Sequence, residues 1–319
     1  MYAIETKNLR KDFSDGKKTV HAVKGIDLKI EKNQVYGLLG PNGAGKTTTI
    51  FMLSTLLLPT SGSAKVLGFD VVKEKNKLRD KIGLCLGGSR FYWDMKPAEI
   101  LEYYGRLYGI KKEERKSRIK NLIDELDIGW YADRHFSHMS TGMRQKVAVA
   151  KSLINNPQVL FLDEPTAGLD VEVAVSVRKY ILKLVKEREM TVILTSHHLN
   201  EVEEMCKKIS VLNNGKIVSS GTIKQIREKM KFPDIIHLYL SDYSKLGFLK
   251  KESGIIDYKV SDGLYIQATE GLKTFNRIER ILKRSHVNIL DLEIRKASLE
   301  EIFLKIIGGS NNIERRTID

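Results

Sequence analysis

Long apolar runs are missing from this 319-residue chain. The longest stretch, Ile50 to Leu58, is broken by Ser54 and Thr55 and falls well short of the roughly 18 to 20 residues that a bilayer-spanning helix needs. The chain is therefore not expected to cross a membrane. Its opening, Met-Tyr-Ala-Ile-Glu-Thr-Lys, has no apolar segment behind a basic stub, which argues against a secretory signal and sets the expectation of a cytosolic protein. Cysteine is scarce: Cys85 and Cys206 sit in or beside apolar runs with no nearby His pair, so inert thiols are expected rather than a disulfide or a metal site. Internal repeats and low-complexity tracts are lacking as well. A basic arm is also lacking. The formal net charge is +14, yet it is spread evenly, with 36 Lys+Arg against 26 Asp+Glu in residues 1–222 and 18 against 14 in residues 223–319. An even spread is weak support for a nucleic-acid partner.

What is present is an ordinary globular balance, 42% hydrophobic and 29% charged, in a chain whose length suggests two domains. Gln34 to Leu39 reads as a buried strand. A Gly-rich turn follows it, then a helical run from about Lys46 to Leu57, stopped by Pro59 and Gly62. Further buried strands are expected at Ile82 to Leu86, Val159 to Leu162, Val192 to Thr195 and Ile209 to Leu212. Helices are expected at Pro97 to Leu107, Glu113 to Leu126 and Met143 to Ile154. Strands alternating with helices predict an α/β layer on a largely parallel sheet, with a helical subdomain at about 87–157.

After Gly221 the texture changes. Short alternating segments at Ile236 to Leu240, Ile255 to Val260 and Leu264 to Ala268 predict antiparallel strands. A helix follows with Phe275, Ile278, Ile281 and Leu282 on one face, then a strand near Ile289 to Ile294. Ser298 and Glu301 form a capping box for a last helix through Ile307. The reading is a first domain over 1–222 and a small α+β domain over 223–319, with a flexible tail after 308.

Four groups of residues carry chemistry. Gly40-Pro41-Asn42-Gly43-Ala44-Gly45-Lys46-Thr47 matches G-x-x-x-x-G-K-[ST] between a strand and a helix, the context in which that motif cradles phosphates. Backbone N–H groups would turn toward the phosphate, Lys46 would reach the outer phosphate oxygens, Thr47 would ligate Mg²⁺, and Thr48 adds a further contact. Val159 to Glu164 is an apolar strand ending in two carboxylates. Asp163 suits the Mg²⁺ shell, and Glu164 suits a general base for the attacking water. His197 follows an apolar run and, beside a nucleotide site, reads as a sensor of the terminal phosphate. Alone, it would be an unremarkable strand-end residue. His198 is expected to point the other way on that strand. Ser140-Thr141-Gly142 is a turn at a helix start: alone an N-cap, but also a second anion-type site.

Gly40 to Thr47, Met139 to Met143, Asp163-Glu164-Pro165, Ala167 to Asp170 and His197 stand in the order and spacing of the ATP-binding subunit of ABC transporters. The resemblance covers residues 1 to about 222. The Ser-Thr-Gly-Met signature, the stretch Glu99 to Gly109 and a long tail ending Ser298 to Phe303 resemble the drug-efflux, daunorubicin-resistance-type branch. The resemblance implies ATP and Mg²⁺ as cofactors, and a head-to-tail dimer with a second cassette, identical or paralogous. In that dimer Ser140 and Gly142 of one copy close over ATP held by Lys46 of the other. It implies that Asp170 links the two sites, that Phe13 stacks on adenine, and that an integral membrane permease is driven from the inner face of the membrane. As a bare sequence feature, Phe13 would be a core residue. The family's usual Mg²⁺-touching glutamine is replaced by Gly87-Gly88, and Arg90, Tyr92 and Trp93 just beyond are candidates to face a partner. The competing reading is a soluble ATPase of the same superfamily acting on nucleic acid or the ribosome. The short interval between the phosphate loop and the signature, and the single Lys46 loop, weigh against it. A regulator that hardly turns over ATP is disfavoured by Glu164 and His197.

Overall fold

The computed structural model describes residues 1–87, 94–196, 198–230 and 232–308. His197, Gly88, Arg90, Tyr92, Trp93 and the tail 309–319 lie outside the described residues. The chain divides into two compact units, Met1–Thr222 and Ile223–Asp319.

The first unit opens with strands β1 (Tyr2–Ser14), β2 (Thr19–Ile26), β3 (Lys29–Glu31) and β4 (Val35–Leu39), then helix α1 (Lys46–Leu53). Strands β5 (Ser61–Val66) and β6 (Phe69–Asp70), helix α2 (Lys75–Arg79) and strand β7 (Ile82–Leu86) follow. Three helices come next, α3 (Pro97–Leu107), α4 (Lys112–Glu125) and α5 (Thr141–Leu153). The unit closes with β8 (Val159–Asp163), α6 (Val171–Arg188), β9 (Thr191–Thr195), α7 (Leu199–Met205), β10 (Lys208–Asn213) and β11 (Lys216–Gly221).

Six strands form one sheet in the order β11-β10-β4-β9-β8-β7, parallel except for the β10–β11 pair. Every residue of β4 and β9 is buried, as are Val159 to Leu162 of β8. Strands covered on both faces need continuous apolar runs, which is why these segments stood out in the sequence. A second, antiparallel sheet runs β2-β1-β5-β6 with β3 also on β1. One core packs Ile4, Leu9 and Ile30 from this sheet with Leu38, Ile50, Leu53 and Phe161.

Two expectations need correction. The helix after the phosphate loop stops at Leu53 rather than Leu57, because Thr55 turns left-handed at φ 64°. Arg79 pins that turn, its guanidinium donating to Thr55 Oγ1 at 2.9 Å and Thr55 O at 3.3 Å. His198 is not on a strand: β9 ends at Thr195, and His198 is the residue that caps α7.

The second unit holds α8 (Ile223–Lys229), β12 (Asp234–Leu240), β13 (Ile255–Val260), β14 (Leu264–Ala268), α9 (Gly271–Arg284), β15 (Ile289–Arg295) and α10 (Leu299–Gly308). Its antiparallel sheet runs β13-β14-β12-β15. Ile236, Leu238, Leu264 and Ile266 of the sheet bury against Ile278 and Leu282 of α9. Both arms of the Ser298–Glu301 box are present, at 2.7 Å and 3.2 Å. Among the described residues no helix is long and apolar enough to cross a membrane.

Candidate nucleotide site

Parallel strands place their C-terminal ends on one edge, where loops gather functional groups. β4 and β8 flank β9 in the sheet, so the loop after β4 and the carboxylates ending β8 meet on either side of Thr195. Thr47 Oγ1 donates to Asp163 Oδ2 at 2.9 Å across 116 positions of sequence. Thr195 Oγ1 donates to Asp163 Oδ1 at 2.5 Å, so both oxygens of that carboxylate are oriented.

The loop Gly40 to Gly45 takes positive φ at all three of its glycines, the conformation that L side chains rarely adopt. Gly45 has φ 100°, and a Cβ there would stand 2.5 Å from Ala22 O. Gly43 has φ 77°, and a Cβ there would meet nothing within 4 Å, as expected of a backbone that faces open space. Lys46 begins α1 and folds back over the loop, its ammonium donating to Gly40 O at 2.7 Å and Pro41 O at 3.1 Å. It is only 5% exposed. Burial pushes its pKa below the usual lysine value, while Glu164 and Asp163 pull it back up. A cationic lysine held beside two carboxylates at the head of a helix is a site for an anion that arrives with its own counter-cation.

Glu164 leaves the strand in the left-handed region at φ 53°. Its N–H donates to both Thr195 O and Thr195 Oγ1 at 3.1 Å, which holds that uncommon conformation in place. The donor set Thr47 and Asp163 is one hydroxyl and one carboxylate, both hard oxygens. That fits Mg²⁺, which takes one or two protein oxygens and fills the rest of its shell with water and phosphate.

Four more of the predicted residues, Ser140, Gly142, Asp170 and Phe13, stand at or in other elements. Ser140 caps α5, its Oγ accepting from Met143 N at 3.3 Å. Gly142 is buried, and a Cβ there would press on Val173 Cγ1 at 3.1 Å. Asp170 is exposed at the N-cap of α6 with no side-chain capping bond. Phe13 lies on β1 at 44% exposure with the Lys11 ammonium 5.2 Å from its ring centre, so the core expectation for that ring is corrected to a surface one. Gly87 stands where a Cβ would lie 3.1 Å from Asp163 O and 3.4 Å from Glu164 O. Both cysteines are free and buried, and burial pushes their thiols up to about 11 and about 12. Sequence reading missed Thr195 and Thr166. Both are buried hydroxyls, Thr195 bonding Asp163 and Thr166 bonding Glu201, and nothing but place in the fold marks them.

A glycine-lined loop feeding a helix, closed by a lysine and facing an oriented aspartate, defines the class of P-loop nucleotide-hydrolysing proteins. Residues 23–167 match the ABC transporter family. The chain is 38% identical over 230 residues to the ABC transporter ATP-binding protein NatA of Bacillus subtilis, covering 72% of this chain and 93% of that protein. It is 33% identical over 315 residues to the daunorubicin/doxorubicin resistance ATP-binding protein DrrA of Streptomyces peucetius, covering 96% of this chain and 92% of that one. Among solved structures, a dimeric post-hydrolysis ATP-binding cassette bound to ADP and Pi superposes with a TM-score of 0.64 at 24% identity, over 69% of this chain and 98% of that one. The chain belongs to the ATP-binding subunits of ABC transporters, resembles their daunorubicin-resistance-type branch, and is an ATPase.

Proposed function

We propose that this chain binds Mg-ATP as one half of a cassette dimer and powers a separate membrane permease, in the direction of export. The observation that carries the reading is the convergence of Lys46, Thr47 and Asp163 at one edge of the parallel sheet. The loop Gly40 to Gly45 would wrap the phosphates, with Thr48 as a further contact, and Lys46 would trade its bonds to Gly40 O and Pro41 O for phosphate oxygens. Thr47 and Asp163 would hold Mg²⁺, which when bound neutralises charge on the phosphates.

Glu164 would orient and deprotonate the attacking water, its carboxylate set by the Thr195 bonds to its own N–H. His197 is assigned the terminal phosphate from its place just after β9. Phe13, being exposed and flat, is available to stack on adenine. Ser140 and Gly142 at the head of α5 would close over the nucleotide of the second cassette, with Asp170 between the two sites. Partial positive charge at a helix start suits that task. The linearmycin resistance ATP-binding protein of Bacillus subtilis, 32% identical, supports export, and the bacitracin transport ATP-binding protein of Bacillus licheniformis, 29% identical, supports a transport role. Spread over both units, the positive charge would help hold the cassette at the anionic inner leaflet.

The test is purification of Glu164→Gln from native membranes with ATP present, after cross-linking. A stoichiometric multi-span membrane protein is expected. Recovery of ribosomal protein or nucleic acid alone would replace the permease reading with the soluble one.

A further inference from the structure

Glu201 is 7% exposed in the first turn of α7, and its carboxylate receives three donors from three different elements. Oε2 accepts from Thr166 Oγ1 at 2.5 Å and from Ser196 Oγ at 3.5 Å. Oε1 accepts from Arg178 Nη1 at 2.8 Å. Thr166 and Ser196 are themselves buried, each 3% exposed. A carboxylate is costly to bury unless its oxygens are fully engaged. Here they are engaged, and among the described residues the cluster makes no hydrogen bond to Lys46, Thr47 or Asp163.

The partners show what the cluster ties together. Thr166 lies two residues after Glu164 and four before Asp170. Arg178 lies two turns into α6, the helix that Asp170 caps. Ser196 ends the segment leading from β9, and its Oγ accepts from His198 N at 2.9 Å. Glu201 N donates in turn to His198 O at 3.1 Å. The loop after β8 is already joined to β9 through Glu164 N and Thr195. One point of attachment leaves a pivot, whereas a second one at Thr166 removes the rotation about it.

We propose that Glu201 is a positioning residue for hydrolysis: it locks the loop Thr166–Asp170 to the residues on either side of position 197, so that Glu164 and Asp170 are presented in one register. It acts through those groups and touches no nucleotide. The proposal rests on the roles given to Glu164, Asp170 and His197 above.

The test uses the full chain with Glu201→Gln, Thr166→Val, Thr166→Ser and the Glu201→Gln/Thr166→Val pair. The readouts are steady-state ATPase, affinity for a fluorescent ATP analogue, and amide hydrogen exchange of peptides spanning 40–47, 164–170 and 196–201. Glu201→Gln and Thr166→Val are each expected to lower kcat by about ten- to a hundredfold. Nucleotide affinity stays within about twofold, the signature of lost positioning rather than lost binding. Thr166→Ser, which keeps the hydroxyl, retains wild-type kcat, and the double variant is no slower than the slower single one. Exchange rises in 164–170 and 196–201 together while 40–47 is unchanged.

Losses that multiply in the double variant, a loss of affinity equal to the loss of rate, or exchange rising in only one segment would overturn the lock. Wild-type kcat in Thr166→Val would do the same, whether or not Glu201→Gln folds. The exchange readout needs no turnover, so failure of the underlying roles is told apart. Normal hydrolysis by Glu164→Gln removes Glu164 as the base, and with it the effect claimed for Glu201 on hydrolysis, while the coupled exchange still reports on the lock itself.

Discussion

Two loops in the first unit stand at helix starts and offer backbone N–H groups to an anion, yet they are furnished differently. The loop before α1 has a buried lysine, a hydroxyl and an oriented carboxylate around it. The loop before α5 has Ser140, whose Oγ is spent on Met143 N, and Gly142, packed on Val173. The first contains what is needed to hold a charged phosphate chain and its cation. The second supplies a helix terminus and little else, which suits a lid for a ligand held by another molecule.

The comparison breaks most visibly at the first loop. Glu164→Gln should lower ATP turnover by about 10² to 10⁴-fold while leaving ATP bound. Lys46→Ala should lower turnover by at least about a hundredfold and weaken ATP binding as well. Steady-state ATPase together with equilibrium nucleotide binding checks both. If Glu164→Gln lost binding and turnover alike, the carboxylate would belong to the cradle and not to the chemistry.

The second loop should respond in a different currency. Ser140→Ala should leave ATP affinity of the isolated chain unchanged, because the proposed role of Ser140 is at the nucleotide of the second cassette. It should weaken ATP-driven dimerisation of the Glu164→Gln protein, read by size-exclusion chromatography with light scattering. Loss of the N-cap also costs about 1 kcal/mol of stability, visible as a lower melting temperature. A fall in monomer ATP affinity equal to that of Lys46→Ala would merge the two loops into one site.

The two loops were also unequally legible in the sequence. The first sits after β4, whose two-sided burial forces a continuous apolar run, and its glycines and lysine have fixed spacing. The carboxylates of β8 were legible for the same reason. By contrast, the antiparallel sheet β2-β1-β5-β6 went unread: β1 is broken by register shifts against both β2 and β5, so its polar and apolar residues follow no constant alternation. Thr195, Thr166 and Glu201 were invisible because a hydroxyl or carboxylate has no pattern until tertiary structure supplies its partner. The early end of α1 at Thr55 has the same origin, since Arg79 holds the turn from 24 residues away.

The smallest effect concerns how the second loop is carried. α5 packs against α3 and α4, and those two helices are joined by Arg115, whose guanidinium makes a forked pair with Glu102 at 2.7 and 2.8 Å. Arg106 adds a third bond to Glu102 at 2.8 Å. The Arg115 and Arg106 bonds hold the Glu102 carboxyl down at about 2, against a usual value of 4.5. A carboxylate whose folded pKa is depressed contributes stability that is full above its unfolded value and is lost as pH falls from about 4.5 toward 2. Glu102 is about one-third exposed, so solvent screening keeps the contribution small. Glu102→Gln should therefore lower the melting temperature slightly at pH 7 and should flatten part of its decline between pH 4.5 and 3. ATP affinity at Lys46 should stay unchanged, whereas the Ser140-dependent dimerisation should weaken, because the helices that support α5 are loosened. If the variant's stability fell with acid as steeply as the wild type's, the Glu102–Arg115 pair would carry none of that dependence, and the support of α5 would have to come from the other contacts that α3 and α4 make with it, the Lys151 ammonium over the Tyr104 ring among them.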